Sequence, residues 1–154
     1  MLVFSGSSAI KREPETRYLT EDDVVAIHKM LAAALGPKTA EGGEVASRYG
    51  LLNAVERPRA SIFGRDAYGT VAEKAAAFMF ALLQNRPFES HNQRVALAAA
   101  LAFCETNGKS LDARQLDDTK LASLTRKVSG YREKGIPAEE VFSELRSAFA
   151  NSLR

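Results

Sequence analysis

The residues best equipped for chemistry in this 154-residue chain lie side by side: Arg86-Pro87-Phe88-Glu89-Ser90-His91-Asn92-Gln93-Arg94. Pro87 holds Arg86 out of the α region and Phe88 supplies an apolar anchor. Ser90 is spaced as a helix N-cap, and Gln93 three residues on completes a capping box. A helix beginning here would present first-turn N–H groups that have no intrahelical partner and carry partial positive charge. Arg86, Asn92 and Arg94 beside them describe a cationic, amide-lined pocket suited to phosphate or a nucleotide. Arg86 could equally point to solvent, and the residues leave both readings open. Arg94 is expected to face inward, because an arginine in an alanine-rich helix is costly without a partner.

The elements that must hold this loop can be read on either side of it. Val95 to Cys104 is an unbroken apolar run, long enough to favour helix over strand, with Gly108 as its C′ residue. Apolar all round, it is expected to be the buried central helix, wrapped by the others. Before the loop, Thr70 caps a helix with Glu73 in the capping-box position, and Val71, Ala75, Phe78, Met79, Leu82 and Leu83 cover most of its circumference. This helix is expected to pack along the central one. A first helix starts at Thr20 with an acidic first turn, carries Val24, Ile27, His28, Leu31 and Leu35 as its stripe, and ends at Gly36-Pro37. His28 on that stripe reads as a packed histidine bonded to neighbouring backbone in preference to a catalytic one. A loop at 36–43 leads to a helix from Glu44 to Glu56 that turns Val45, Tyr49, Leu52 and Val55 inward, with Pro58 ending it.

Between Arg59 and Gly69 the pattern changes. Ser61-Ile62-Phe63 and Ala67-Tyr68 flank Gly64-Arg65-Asp66, which reads as a short hairpin flap or as a plain connecting loop. As a hairpin, Ile62, Phe63, Gly64 and Arg65 would offer an exposed edge able to hold an extended peptide by main-chain hydrogen bonds. After Gly108 two further helices are expected. One runs from Ala113 to Val128, capped by Asp112, with Leu116, Leu121, Leu124 and Val128 inward and Gly130 at its end. The other begins at Pro137 and carries Val141, Leu145 and Phe149. The expected fold is all-α: about six helices around one buried helix, with a short β-hairpin. Residues 1–17 read as a loose arm or a short edge strand near Leu2–Phe4, and 18–154 as one domain.

Composition sets bounds on function. Apolar content of 45%, charged content of 26% and a net charge of +2 belong to an ordinary globule and argue against nucleic acid as partner. The single cysteine, Cys104, excludes an internal disulfide and sits in the apolar run, where it reads as an inert buried thiol. No span approaches the roughly 18 apolar residues of a membrane helix. The opening Leu2-Val3-Phe4 is shorter than the roughly 7–15 residues of a signal-peptide core. The chain is expected to be cytoplasmic, with no membrane partner.

From Tyr18 to Gly108 the sequence resembles the Doc (death-on-curing) branch of the Fic superfamily. The resemblance rests on YLTEDDVVAIHKML, the GLL helix before a proline, the FG-containing flap, AEKAAA, and an apolar helix ending in NG. It implies a six-helix fold with a flap beside the site. It also implies a loop reading His-Pro-Phe-x-Asp-Gly-Asn-Lys-Arg, in which the histidine is the general base for a target hydroxyl. The acidic residue there holds Mg²⁺ on the nucleotide phosphates, and the Gly-Asn-Lys-Arg turn cradles those phosphates. Most Fic proteins transfer AMP to protein hydroxyls; the Doc branch moves phosphate onto a translation elongation factor as the toxin of a toxin–antitoxin pair.

In this chain Pro87, Phe88, Asn92 and Arg94 fit that pattern, whereas the base position holds Arg86, the metal position Ser90, the glycine position His91 and the lysine position Gln93. Arg86 keeps its proton at neutral pH, and losing a general base typically costs about 10²–10⁴ in rate. Ser90 is a neutral oxygen and a poor ligand for Mg²⁺, so no metal site is assigned. His91 and Glu89 are the substitutes the loop offers. Glu89 stands at the family's variable position, and an imidazole at 91 crowds the approach of phosphate to backbone. The expectation is a non-catalytic or weakly active module that binds phosphate or nucleotide through Arg86, His91, Asn92, Gln93 and Arg94. The alternatives are an active toxin with rearranged residues, using ATP with Mg²⁺, and a purely protein-binding role toward a target or an antitoxin-like tail.

Overall fold

The computed structural model describes residues 15–36 and 45–154. In chain order these form α1 (Glu21–Leu35), α2 (Arg48–Glu56), a 3₁₀ turn (Arg57–Arg59), strands β1 (Ser61–Ile62) and β2 (Arg65–Asp66), then α3 (Val71–Asn85), α4 (Asn92–Thr106), α5 (Asp118–Gly130) and α6 (Ala138–Ser152). The fold is all-α with a two-stranded antiparallel flap, as expected. Residues 1–14, on which the reading as a loose arm or an edge strand near Leu2–Phe4 falls, and most of the 36–43 loop lie outside the described residues. Of the rest of the arm, Arg17 is fastened at both main-chain groups: its N–H donates to Asn107 Oδ1 (2.8 Å) and its carbonyl accepts from Asn107 Nδ2 (2.9 Å).

Local signals start α1 and α3 where the sequence put them. Thr20 Oγ1 accepts from Asp23 N while Asp23 accepts from Thr20 N, a reciprocal box with aspartate in the glutamate's place. Thr70 Oγ1 accepts from Glu73 N at the start of α3. At the hairpin, Ser61 faces Asp66 and Ile62 faces Arg65. The two turn residues, Phe63 and Gly64, both have positive φ, 52° and 76°, the combination that matches the twist of a two-residue hairpin.

The central helix is α3, not α4. Ten of the 15 residues of α3 are buried, including Phe78, Met79, Leu82 and Leu83, against seven of 15 for α4. α3 packs against α2, α4, α5, α6 and the 3₁₀ turn. The apolar run of α4 misled because it is mostly alanine: small side chains need little cover, and Leu97 and Leu101 lie at a partly open side.

Two further expectations are corrected. The second helix starts at Arg48, capped by Ser47 Oγ on Gly50 N, and Val45 instead bridges to Phe88 as extended chain. Its inward face is Gly50, Leu51, Ala54 and Val55; Tyr49 and Leu52 are exposed. The small face wins because α2 must approach Asn85 closely, where Asn85 Nδ2 donates to Gly50 O (2.9 Å) and Asn53 Oδ1 (3.0 Å). α5 begins at Asp118, capped by Asp117 on Lys120 N. Asp112 heads a separate turn, where its carboxylate takes Arg114 N and pairs with Arg154 (2.8 Å). Among the described residues, no helix is long and apolar enough to cross a membrane.

Candidate functional site

The loop between α3 and α4 is fixed almost wholly through its main chain. α3 closes on Arg86, whose N–H donates to Leu82 O and whose backbone is left-handed (φ 43°, ψ 61°). Pro87 bars the right-handed region for its predecessor, and Arg86 resolves that constraint by turning left-handed. The Pro87 carbonyl then accepts from Ala46 N (2.7 Å) and Ser47 N (3.1 Å), which ties the loop to the start of α2. Phe88 is buried, and its ring stacks on His28 with centroids 4.3 Å apart. Its N–H donates to Asn92 Oδ1 (3.0 Å) and its carbonyl accepts from Asn92 Nδ2 (2.8 Å). The Asn92 amide, read from sequence as an anion contact, is therefore spent on holding the loop, leaving its main-chain N–H for a ligand.

Two histidines complete the fixing. His28 is wholly buried on α1, and its Nε2 lies 2.9 Å from the Ser90 carbonyl. Burial holds its pKa below the ordinary imidazole value, and the nearby His91 lowers it further, while the Ser90 carbonyl pulls the other way. The ring is neutral, donates from Nε2, and leaves Nδ1 buried without a partner. This is the packed, backbone-bonded role its place on the stripe suggested. His91 is left-handed (φ 59°, ψ 22°), the conformation a glycine would take most readily, and its Nε2 lies 3.1 Å from Gly36 O at the end of α1.

The expected Ser90–Gln93 capping box does not form. The left-handed turn at His91 makes His91 the N-cap of α4, and no side chain caps it. Ser90 is turned into the protein with its Oγ buried and without a partner among the described residues, and the Gln93 amide reaches across to Ser129 Oγ (3.3 Å). The first-turn N–H groups of α4 thus open into a cleft of about 270 Å³ lined by Arg86, Glu89, Ser90, His91, Asn92, Gln93 and Arg94. Arg94, expected to face inward, is exposed, as are Arg86, Glu89 and Gln93. It escapes the cost of burial because its side of α4 borders a groove with α5 that Leu97, Asp118, Leu121 and Arg126 also line.

The arrangement suits an anion and gives little to a hard cation. Arg86 and Arg94 supply charge, and the uncapped helix end supplies donors. A magnesium ion demands several well-placed oxygen ligands, and the donors present do not fit one. The hydroxyl at 90 is neutral and buried, and Glu89 is the acidic residue lining the cleft. Among the described residues, no group of three or more His, Cys, Asp or Glu is placed to hold a metal ion. Cys104 is no nucleophile: burial pushes its thiol pKa up to about 12.

The flap residues Ile62, Phe63, Gly64 and Arg65 are all exposed, Phe63 completely. Sequence reasoning missed two positioning groups, Lys74 beneath the flap and Asn107 at the end of α4. An apparently ordinary lysine in the AEKAAA helix gave no sign that it would be buried.

Comparison with known proteins by sequence finds relatives of the chain. The chain is 40% identical over 100 residues to a protein named Toxin Doc from Mycolicibacterium smegmatis, a match covering 64% of this chain and 70% of that one. A sequence model of the Fic/DOC family matches residues 18–104, which runs from the segment entering α1 through the flap and the anion loop to the last turn of α4. Because that match covers more than half of the chain and takes in α1 to α3, the flap, the loop before α4 and most of α4, the chain belongs to the Fic/Doc family.

Proposed function

We propose that this Doc-type protein binds a phosphate-bearing ligand, a nucleotide or free phosphate, without transferring it. We further propose that it acts through association with a protein partner of the antitoxin kind. One observation carries the reading: the position that would bear the metal carboxylate is a serine whose hydroxyl is buried and has no partner among the described residues, beside a cleft lined by Arg86 and Arg94. The guanidinium at 86 supports it, since it attracts phosphate but cannot take a proton from an incoming hydroxyl. The relationship to a protein named as a toxin supports a partner of the antitoxin kind. The exposed hairpin edge is a surface on which an extended tail of such a partner could pair.

Isothermal calorimetry with ATP, ADP and inorganic phosphate, with and without Mg²⁺, tests the binding. The expected result is weak binding that Mg²⁺ does not strengthen and that is lost in an Arg86→Ala/Arg94→Ala double variant. Mg²⁺-dependent labelling of a bacterial lysate by radiolabelled ATP, abolished by heat-inactivating this protein, would overturn the non-catalytic reading. If the double variant still captures an antitoxin-like partner, protein association is independent of the cleft.

A second reading is favoured by the bond between His91 and Gly36 O. A backbone carbonyl that takes the Nε2 proton leaves Nδ1 as the acceptor in the neutral ring, the state a base requires. On that reading His91, with Glu89 nearby, stands in for the missing base of an active toxin. It predicts growth arrest on expression, relieved by His91→Ala or Glu89→Ala.

A further inference from the structure

The hairpin poses a problem that its own residues do not solve. Ser61, Ile62, Arg65 and Asp66 are exposed, so the strands bury no apolar face, and two paired residues per strand are too few for a hairpin to stand alone. Tyr68, just after β2, packs edge-on against Phe142 of α6, and beneath the hairpin one side chain touches both stems. Lys74, on α3, is only 2% exposed. Its Nζ donates to Pro58 O (3.3 Å), ahead of β1, and to Asp66 Oδ2 (3.1 Å), in β2. The same ammonium lies over the Tyr18 ring, 5.6 Å from its centroid, and Arg59 lies over that ring as well, at 4.5 Å. One buried cation therefore joins both stems of the flap to the central helix and to the segment entering α1.

We infer that Lys74 is the latch that fixes the pose of the hairpin on α3, and that breaking the Lys74–Asp66 pair releases the hairpin while the helical frame stays closed. The two ends of the pair are unequal: Lys74 is sealed in, whereas the Asp66 side chain is 60% exposed. Solvent ions, or a lysine or arginine of a chain lying along the hairpin edge, can reach Asp66 and draw it off. Lys74 then keeps the Pro58 carbonyl and the Tyr18 ring, and the β2 stem loses its tie. A latch of this kind is local on the Lys74 side, because Lys74→Met takes away the buried charge itself and leaves only an exposed carboxylate behind, so no uncompensated charge stays inside.

Hydrogen–deuterium exchange on the full chain tests this without reference to any nucleotide, so its outcome is separate from that of the function proposed above. Wild type, Asp66→Asn, Lys74→Met and Lys74→Arg are compared at the amides of residues 61–67 and at those of α3 and α4. Asp66→Asn and Lys74→Met are expected to speed exchange in the hairpin by at least about tenfold while α3 and α4 keep their protection. The urea midpoint of Lys74→Met should not fall, and Lys74→Arg should retain most of the hairpin protection. Added salt should speed hairpin exchange in wild type and not in Asp66→Asn. Unchanged hairpin exchange in both Asp66→Asn and Lys74→Met would overturn the inference, as would a rise spread evenly over the whole molecule. Should Lys74→Met fail to fold, Asp66→Asn decides alone, since its amide oxygen can still accept a hydrogen bond from the buried ammonium while the charge pairing is lost.

Discussion

Ser90 is gripped by its main chain, through the bond that His28 donates to its carbonyl, while its hydroxyl has no partner among the described residues. Removing an unpartnered buried hydroxyl relieves a desolvation cost, whereas removing an N-cap costs about 1 kcal/mol. Ser90→Ala is therefore expected to leave the urea midpoint unchanged or raised, and a loss of that size would restore the capping role the sequence suggested. His28 is the reverse case. His28→Ala opens a space against Phe88 and strands the Ser90 carbonyl, and should cost about 2–4 kcal/mol by the same measurement. The ring also makes stability depend on pH. Its folded pKa lies below its unfolded value, so below about pH 6.5 the unfolded chain takes up a proton that the folded protein does not. Its contribution is complete above that pH and is lost as pH falls toward the folded value. Denaturation between pH 7 and 5 should show this slope in wild type and a shallower one in His28→Gln.

The elements were legible wherever a local pattern had no rival. Thr20 and Thr70 cap where they should because nothing else competes for the first-turn N–H groups of their helices. Ser90 and Asp112 carry equally good cap patterns and do not serve as caps. A left-handed residue at 91 intervenes between Ser90 and α4, and Arg114 and Arg154, the latter distant in sequence, claim the carboxylate of Asp112. The open side of α4 was unreadable for a related reason, since an alanine run states its apolarity and not how much cover it receives. The candidate site followed the same division. Its residue types and its position at a helix N-terminus were readable, but the spending of Asn92 on Phe88 and the exposure of Arg94 depend on packing. Asn92 and Arg94 should consequently separate in experiment. Asn92→Ala orphans a buried N–H and carbonyl of Phe88 and should cost about 2 kcal/mol or more in stability. Arg94→Ala should stay within about 0.5 kcal/mol of wild type and weaken calorimetric phosphate or nucleotide binding by about tenfold.

At the scale of the molecule, the frame and the chemistry come apart. The sequence matches the family over residues 18–104, and the substitutions that separate this loop from the family pattern are confined to Arg86, Ser90, His91 and Gln93. Three of the four positions are ready to receive the family residue. Arg86 and Gln93 are exposed, so histidine and lysine enter at little cost, and residue 91 already has the φ of 59° that glycine prefers. Ser90 is the tight position, where a carboxylate replaces a buried hydroxyl and some stability is lost. On the proposed reading, the combined variant Arg86→His/Ser90→Asp/His91→Gly/Gln93→Lys should fold with a lowered urea midpoint. It should gain Mg²⁺-dependent incorporation of radiolabel from ATP into a bacterial lysate at least about 10²-fold above wild type, the low end of what a general base contributes. Its expression should arrest growth where wild type does not. Wild-type labelling as strong as that of the variant would mean that the loop was never deficient and that His91 already serves as the base. A folded but silent variant would place the deficit outside these four residues.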